Sequence, residues 1–421
     1  MSKIPASIFD RTVSVSLRAA TLLSKFALIF VLAKYLPPEE LGVYGLVSAT
    51  IGYAIFFLGM DFYTFSNREI IKVDATLQGR YIKSQFLAYL LFFVALAPLF
   101  LILFILDLMP WAVVGWFFAI LIVEHLSQEL MRLLVALSHQ VAASIVLFVR
   151  FGLWALILSV VIPMEQQLRS LNTVWIAWFI GGAVAVGYGF FRVSRMKLGG
   201  WERRADFSWV ISGVKIALPF LLATIALRSI LTLDRYLIEV TSGLELLGVY
   251  VFFMGISMSL LSFLESAVFS FYYPTMIQSH AAGDAGQFRE VLWRMVWQSS
   301  FVIVFFLIVA LTIIRWLLHL IGHAIYVEEI TIFRWVLAAV TLFSMSMIPH
   351  YGLYSQGFDR PIIYSHIFGL LAFLVAFIVG MYEYPERSVM IALIFAFAFI
   401  FAFKLHAFIK LSPERYYRTK S

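Results

Sequence analysis

Basic side chains lie within two strongly apolar stretches of this chain, where ionisable groups are unusual. In the first stretch, Ser14, Arg18, Thr21 and Lys25 are spaced at i, i+4, i+7 and i+11, which places them on one face of a helix. A charge inside hydrocarbon costs about 2.5–3.5 kcal/mol on insertion scales, so such residues usually face a cavity or a partner. These cations could bind an anionic group, or Arg18 and Lys25 could instead extend to the lipid head groups.

Arginine recurs in a similar pattern in a later stretch. Thr224, Arg228 and Arg235 are separated by four and seven residues and again share one helical face. Guanidinium groups supply planar, multidentate donors that suit phosphate. The sequence therefore predicts that Arg18, Lys25 and Arg228 bind a phosphate or pyrophosphate group.

Acidic and basic side chains are concentrated in the apolar stretch 111–135. Glu124 and Arg132 share one helical face, while His125 and Glu129 form an i, i+4 pair on the neighbouring face. Two roles are open. The carboxylates could relay protons or cations, or they could belong to a neutralised polar seam that braces this helix against Arg150.

Two further acids occupy nearly equivalent places in the two halves of the chain. Asp61 closes the second apolar stretch and Glu265 lies in the eighth. Either could pair with the cations described above to form a gate, although an acid at a helix end is more often simply solvated. The predicted coupling or gating residues are thus Asp61, Glu124, Glu129, Arg132, Arg150 and Glu265.

Motifs of catalysis and of metal binding are absent from the sequence. There is no G-x-x-x-x-G-K-[ST] loop to hold a nucleotide, no Gly-x-Ser-x-Gly motif and no H-E-x-x-H motif. The scattered histidines lack metal-ligand spacing, and there is no cysteine. We expect no catalytic residues, no metal, no cofactor and no enzymatic activity.

The composition is that of a membrane protein. Apolar residues make up 62% of the 421 residues and charged residues only 13%, whereas soluble domains are about a quarter charged. A membrane-crossing helix needs about 20 mainly apolar residues, and the sequence contains twelve such stretches. They are 14–36, 41–61, 82–106, 111–135, 141–162, 172–191, 211–238, 247–270, 295–318, 330–348, 361–381 and 389–409.

Loop charge orients these spans. Most basic loop residues lie at the termini and in the even-numbered connections, such as 192–210 and 274–294. Cytoplasmic loops are enriched in lysine and arginine, so both termini are expected in the cytoplasm. The net charge of +7 then reflects topology and contact with anionic lipid. Nucleic acid is not an expected partner.

A short sequence repeat divides the chain into halves. Leu41-Gly42-Val43-Tyr44 recurs as Leu247-Gly248-Val249-Tyr250, which is the kind of internal repeat found in transporters. We therefore predict an all-α polytopic membrane protein of about twelve transmembrane helices in two pseudo-symmetric six-helix bundles. The first bundle would span 1–195 and the second 211–421, joined by a basic cytoplasmic linker over 196–210.

Three short segments are characteristic: Leu36 to Tyr44, Gly59-Met60-Asp61, and Pro219 followed by Asp234-Arg235-Tyr236-Leu237-Ile238 and by Glu245 to Tyr250. They resemble the polysaccharide-unit flippases of the multidrug/oligosaccharidyl-lipid/polysaccharide exporter (MOP) superfamily. The resemblance implies two six-helix lobes that open alternately to the two sides of the bacterial cytoplasmic (inner) membrane. It also implies a substrate of sugars on a polyprenyl pyrophosphate, moved outward for O-antigen, capsule or exopolysaccharide synthesis.

The same resemblance implies cationic cavity residues for the anionic head group, a role that Arg18, Lys25 and Arg228 could fill here. Partners would be the lipid-linked glycan and membrane lipids, and could include other polysaccharide-assembly proteins. The concentration of buried acids in stretch 111–135 departs from the pattern expected of the family, which leaves the coupling mechanism open.

Two other functions remain open from the sequence. A cation-coupled drug antiporter of the same superfamily would use buried carboxylates to receive cationic drugs; the four acids fit it, and Arg18, Lys25 and Arg228 do not. A membrane glycan polymerase or ligase would need a sizeable outer loop with catalytic residues. The outer loops near 163–171 and 319–329 are short, which disfavours that enzyme.

Overall fold

The computed structural model describes residues 8–417, which contain helices and no strands. Long apolar runs form helices because the backbone groups must be satisfied within the segment when lipid surrounds it. The α-helices are α1 (Ile8–Tyr35), α2 (Pro38–Gly59), α3 (Tyr63–Lys72), α4 (Ala75–Leu96), α5 (Leu101–Ile105), α6 (Val114–Ala136), α7 (Gln140–Leu147), α8 (Trp154–Met164), α9 (Leu171–Ser194), α10 (Phe207–Leu264), α11 (Ser270–Ala281), α12 (Ala285–Ile321), α13 (Ala324–Glu328), α14 (Ile330–Ser355), α15 (Asp359–Glu383) and α16 (Ser388–Leu411).

Eleven helical segments of the described chain are long and apolar enough to cross a membrane. One of them, Phe207–Ala281, is 75 residues long and contains two of the predicted spans, 211–238 and 247–270. Gly243 separates the two, because its φ of 82° and ψ of 172° are not helical. The prediction of an all-helical polytopic membrane protein is confirmed. The cytoplasmic placement of the termini stays a prediction.

Two helices contain π-helical segments, Phe148–Leu153 between α7 and α8 and Glu265–Phe269 between α10 and α11. A π-helical turn displaces the side chains around it and often occurs at functional sites. Each of these two segments carries an ionisable residue singled out above, Arg150 in the first and Glu265 in the second. The sequence pattern gave no sign of either segment.

Of the described residues, 8–36 and 43–221 form a first compact unit. Its core lies where α6 and α7 pack against α9, around Leu130, Leu133 and Val146. The basic connection after α9 packs on α4: the backbone N–H of Gly79 donates to the Gly199 carbonyl at 2.8 Å. Helix α10 already begins at Phe207, and its first residues belong to this unit. The boundaries predicted for the bundles and the linker stay a prediction.

Residues 37–42 and 222–417 form the second compact unit. The glycines of the sequence repeat permit a close backbone approach within it. A Cβ atom on Gly42 would lie 2.4 Å from the Leu244 carbonyl oxygen, and one on Gly248 would lie 1.9 Å from the Pro38 carbonyl oxygen. Only glycine leaves room for this contact. The repeat thus marks a point where two chain segments touch.

Candidate functional site

A buried ion pair lies at the centre of the first unit. The Arg150 guanidinium is 2.5 Å from the Glu124 carboxylate, and both of its terminal nitrogens donate to Oε1 of Gln128 at 3.2 Å. Trp178 Nε1 donates to the other oxygen of Glu124 at 2.7 Å. Helix α6 supplies the acid, and the π-helical segment supplies the arginine. The pair is fully neutralised and hydrogen-bonded, as a buried charge must be.

A second ionic group lies one turn further along α6. Glu129 pairs with Arg132 at 2.5 Å and accepts a hydrogen bond from the Tyr89 hydroxyl. The Arg132 guanidinium also lies 3.5 Å from the ring centroid of Tyr63, a cation–π contact. Glu129 thus forms its ion pair with Arg132 at i, i+3, and its charge also acts on His125, the expected i, i+4 neighbour. His125 packs edge-on against the Tyr89 ring.

Aromatic side chains enclose the Glu124–Arg150 pair. The Trp154 and Trp178 rings stack at 5.8 Å, and Tyr44 of the sequence repeat lies 6.0 Å from Trp178. Trp154 Nε1 donates to the Arg150 carbonyl at 2.7 Å. These rings exclude water from the pair and hold its geometry. The sequence did not lead us to predict these aromatic contacts. Trp154 and Trp178 lie in apolar stretches next to one that carries charged residues, and this could have indicated an aromatic enclosure of the ion pair.

The predicted cations of the first helix lie at the surface of the first unit. Arg18 and Lys25 are both exposed. The Lys25 ammonium lies 4.6 Å from the ring centroid of Phe151, and the Arg150 guanidinium lies 4.3 Å from the same ring. The π-helical segment therefore connects an exposed cation of α1 with the buried ion pair.

Asp61 occupies a strained turn between α2 and α3. It is only 3% exposed, and Met60 and Asp61 both have positive φ values, 51° and 46°. Non-glycine residues adopt this left-handed region rarely and at some energetic cost. Its backbone carbonyl accepts a hydrogen bond from the Thr64 hydroxyl at 2.8 Å. The structure thus places Asp61 in a buried bend, away from the solvated helix end that was the alternative.

Arg228 and Glu265 come together in the second unit. Both are exposed on the unit, and their charges interact. Nearby in the sequence, Asp234 is fully buried and receives hydrogen bonds from Arg235 at 2.9 Å and from the hydroxyl of Tyr250 at 2.5 Å. Tyr250 is the last residue of the second copy of the repeat and contacts the buried Asp234. Its counterpart in the first copy, Tyr44, lies beside Trp178, one of the aromatic residues around the Glu124–Arg150 pair.

Outside the membrane-spanning segments, Asp206 fixes the start of α10. Its carboxylate accepts hydrogen bonds from the Trp209 backbone and the Ser208 hydroxyl and pairs with Arg80 at 3.0 Å. These interactions lower the pKa of Asp206 below its ordinary value, chiefly through the backbone hydrogen bond. Asp206 is therefore one of several groups that hold the connection between α9 and α10, with Arg80 and Lys83 donating to backbone carbonyls of that connection.

No group of three metal-ligating side chains occurs within residues 8–417. The structure does show a further polar cluster that the sequence reasoning missed, formed by His350, His366 and Lys404 in α14–α16. Lys404 could have been noticed, because it lies inside the apolar stretch 389–409.

The described helices resemble those of known transporters. A multidrug resistance MATE family transporter of the MOP superfamily, solved in an inward-facing conformation, aligns with a TM-score of 0.69 and 12% identity, covering 96% of this chain and 99% of that one. The chain has the fold of the MATE transporters. A MATE point mutant aligns with a TM-score of 0.58 at 12% identity, covering 94% and 95%. A mutant of the Vibrio cholerae MATE transporter VcmN aligns at 0.53 and 14%, covering 95% and 98%.

No protein-family model matches the chain, and no curated protein matches its sequence. At these identities the structural likeness shows the fold alone. The fold is shared with MOP-superfamily members, as the resemblance in the sequence implied. The narrower resemblance to polysaccharide-unit flippases stays a prediction.

Proposed function

We propose that this protein is an alternating-access transporter that flips a polyprenyl-pyrophosphate-linked saccharide across the bacterial inner membrane. The proposal is supported by the distribution of charge over the two units. The buried carboxylates of Glu124, Glu129 and Asp234 are each paired with an arginine. The cations Arg18, Lys25 and Arg228 are exposed on apolar helices, where a ligand can reach them. Such a distribution favours an anionic substrate.

Transport of this kind needs no bond to form or break. The exposed guanidinium and ammonium groups would stabilise the pyrophosphate through charge-assisted hydrogen bonds, while the polyprenyl tail stays in lipid. The sugars would pass through a polar enclosure, which spares them the large penalty of entering hydrocarbon. The flipped unit would then serve cell-surface polysaccharide assembly.

The test is flipping of a fluorescent polyprenyl-pyrophosphate oligosaccharide in liposomes that contain the purified protein. We expect Arg228→Ala to lose about tenfold or more in initial rate, because a charge-assisted hydrogen bond contributes about 1.5–3 kcal/mol. Arg315→Ala is the matched control, since Arg315 is another exposed arginine on a membrane helix; it should flip at the wild-type rate. Full activity in Arg228→Ala would overturn the site assignment.

A cation-coupled drug antiporter is the second candidate, and the structural neighbours favour it. One of them is a multidrug resistance transporter, so the comparisons support this function better than glycan flipping. Here an organic cation would bind a carboxylate, and Glu265 is the exposed one among the predicted acids. Proton-driven efflux of an organic cation that is lost in Glu265→Gln would establish this function instead.

A further inference from the structure

A buried basic cluster lies in the second unit, formed by His350 of α14, His366 of α15 and Lys404 of α16. The two imidazole rings are 6.4 Å apart between centroids, with planes at 13°. Lys404 is close enough to interact electrostatically with both rings. The three residues lie five to seven positions from the nearest ends of their helices, about 8–11 Å along each helix. They therefore share one depth.

Each of the three side chains presents a buried nitrogen that has no hydrogen-bond partner. These are Nδ1 of His350, Nε2 of His366 and Nζ of Lys404. Lys404 is fully buried and His366 is 7% exposed. Buried polar atoms nearly always have a partner, so three such nitrogens in one place indicate a shared ligand.

No carboxylate interacts with this cluster among the residues that the structure describes. The cluster thus differs from the Glu124–Arg150 pair, in which the acid neutralises the base. A buried ammonium without a negative partner is strongly unfavourable. A buried lysine therefore either loses its proton or is stabilised by a bound anion. A ligand that keeps Lys404 charged must accept hydrogen bonds and carry negative charge.

We propose that His350, His366 and Lys404 form a binding site for one small inorganic anion of halide size. The Lys404 ammonium would supply the compensating charge and donate to the anion together with an N–H of His350. His366 also makes a hydrogen bond to the backbone of Ala223, so it would donate to the anion only with both ring nitrogens protonated. A bridging water would accept such bonds without neutralising the charge. The site does not depend on the proposed transport activity.

The packing of the three helices limits the size of the ligand. A Cβ atom on Gly352 of α14 would lie 2.6 Å from the Phe408 ring of α16, and one on Gly369 of α15 would lie 2.5 Å from Ile400 of α16. Helices in such close contact leave little space between their side chains. This close packing favours a monatomic anion over phosphate or the pyrophosphate of the proposed substrate.

The test measures thermal unfolding of the purified full-length protein in chloride, bromide, phosphate or gluconate at constant pH and ionic strength. A ligand that binds only the folded state raises the melting temperature in a saturable way. We expect that rise with chloride and bromide, and neither with phosphate nor with gluconate. Lys404→Met should lose the rise, and Lys410→Met, which removes an exposed lysine of the same helix, should retain it.

Three results would overturn the site: a melting temperature that is independent of the anion, an equal response to phosphate, or an unchanged halide response in Lys404→Met. If Lys404→Met fails to fold, radiolabelled chloride binding to the wild type replaces it. One chloride bound per chain, displaced by bromide and not by gluconate, supports the site. Absence of bound chloride contradicts it.

Discussion

Replacing Arg150 by methionine tests the role of the buried pair in the first unit. The side chains of Arg150 and Glu124 are only 1% and 2% exposed, so the substitution leaves a buried carboxylate without its counter-charge. It also removes the hydrogen bond from Arg150 Nε to Glu124, 2.6 Å long. Removing one partner of a buried pair costs about 3–5 kcal/mol. Arg150→Met should lower the free energy of unfolding by that amount.

The double variant Glu124→Gln/Arg150→Met isolates the pair. It has no unpaired buried charge, so it should be more stable than Arg150→Met alone, with a coupling energy of about 2 kcal/mol or more between the two sites. Reversible unfolding in detergent micelles, followed by tryptophan fluorescence and circular dichroism, measures Arg150→Met, the single variant Glu124→Gln and the double variant.

The control is Lys72→Met, which breaks the exposed pair of Lys72 with Glu69 at 2.7 Å. Exposed pairs contribute about 0–1 kcal/mol, so this variant should resemble the wild type. If Arg150→Met were as mild as Lys72→Met, or if the two substitutions of the double variant were simply additive, the network would not brace the unit as described.

Two further predictions concern stability. Gly248→Ala should destabilise the protein by about 1–3 kcal/mol, because its Cβ would overlap the Pro38 carbonyl. Gly52→Ala is the control, since a Cβ atom there meets nothing within 4 Å, and it should be tolerated. Equal stability of the two variants would refute the backbone contact. Asp206→Asn should lower the free energy of unfolding above about pH 5 and change it less near pH 3. The pKa of Asp206 is lowered in the folded protein, so its carboxylate stabilises the fold above the unfolded-state pKa of about 3.9. That contribution is lost as the pH falls through the pKa of the folded state. Unfolding of Asp206→Asn and of the wild type, measured from pH 3 to 7, checks this. A stability difference that stays constant over that range would contradict it.

Much of the fold could be predicted from the sequence, because an apolar run of about 20 residues has few alternatives to a membrane helix. The partners within the site were harder to predict. For the charged residues of α6, the sequence left open a proton or cation relay and a polar seam braced by Arg150. The structure shows Glu124 paired with Arg150. The π-helical segment that presents Arg150 left no trace in the spacing, since it inserts one residue into an otherwise regular helix.

The basic cluster of α14–α16 shows a different limit. His350, His366 and Lys404 are far apart in the sequence, and no periodicity connects three residues on three helices. Their meeting depends on tertiary packing, which only coordinates reveal. The same holds for Tyr89, whose bond to Glu129 joins α4 to α6.

The central claim is that the substrate is an anionic lipid-linked saccharide, and a direct comparison of two transport assays tests it. Liposomes with the wild-type protein would be supplied with a fluorescent polyprenyl-pyrophosphate oligosaccharide, or with a fluorescent organic cation under a proton gradient. We predict that the oligosaccharide crosses faster than in protein-free liposomes and that the cation does not. Cation efflux driven by the gradient, without movement of the oligosaccharide, would contradict the claim and identify a drug antiporter.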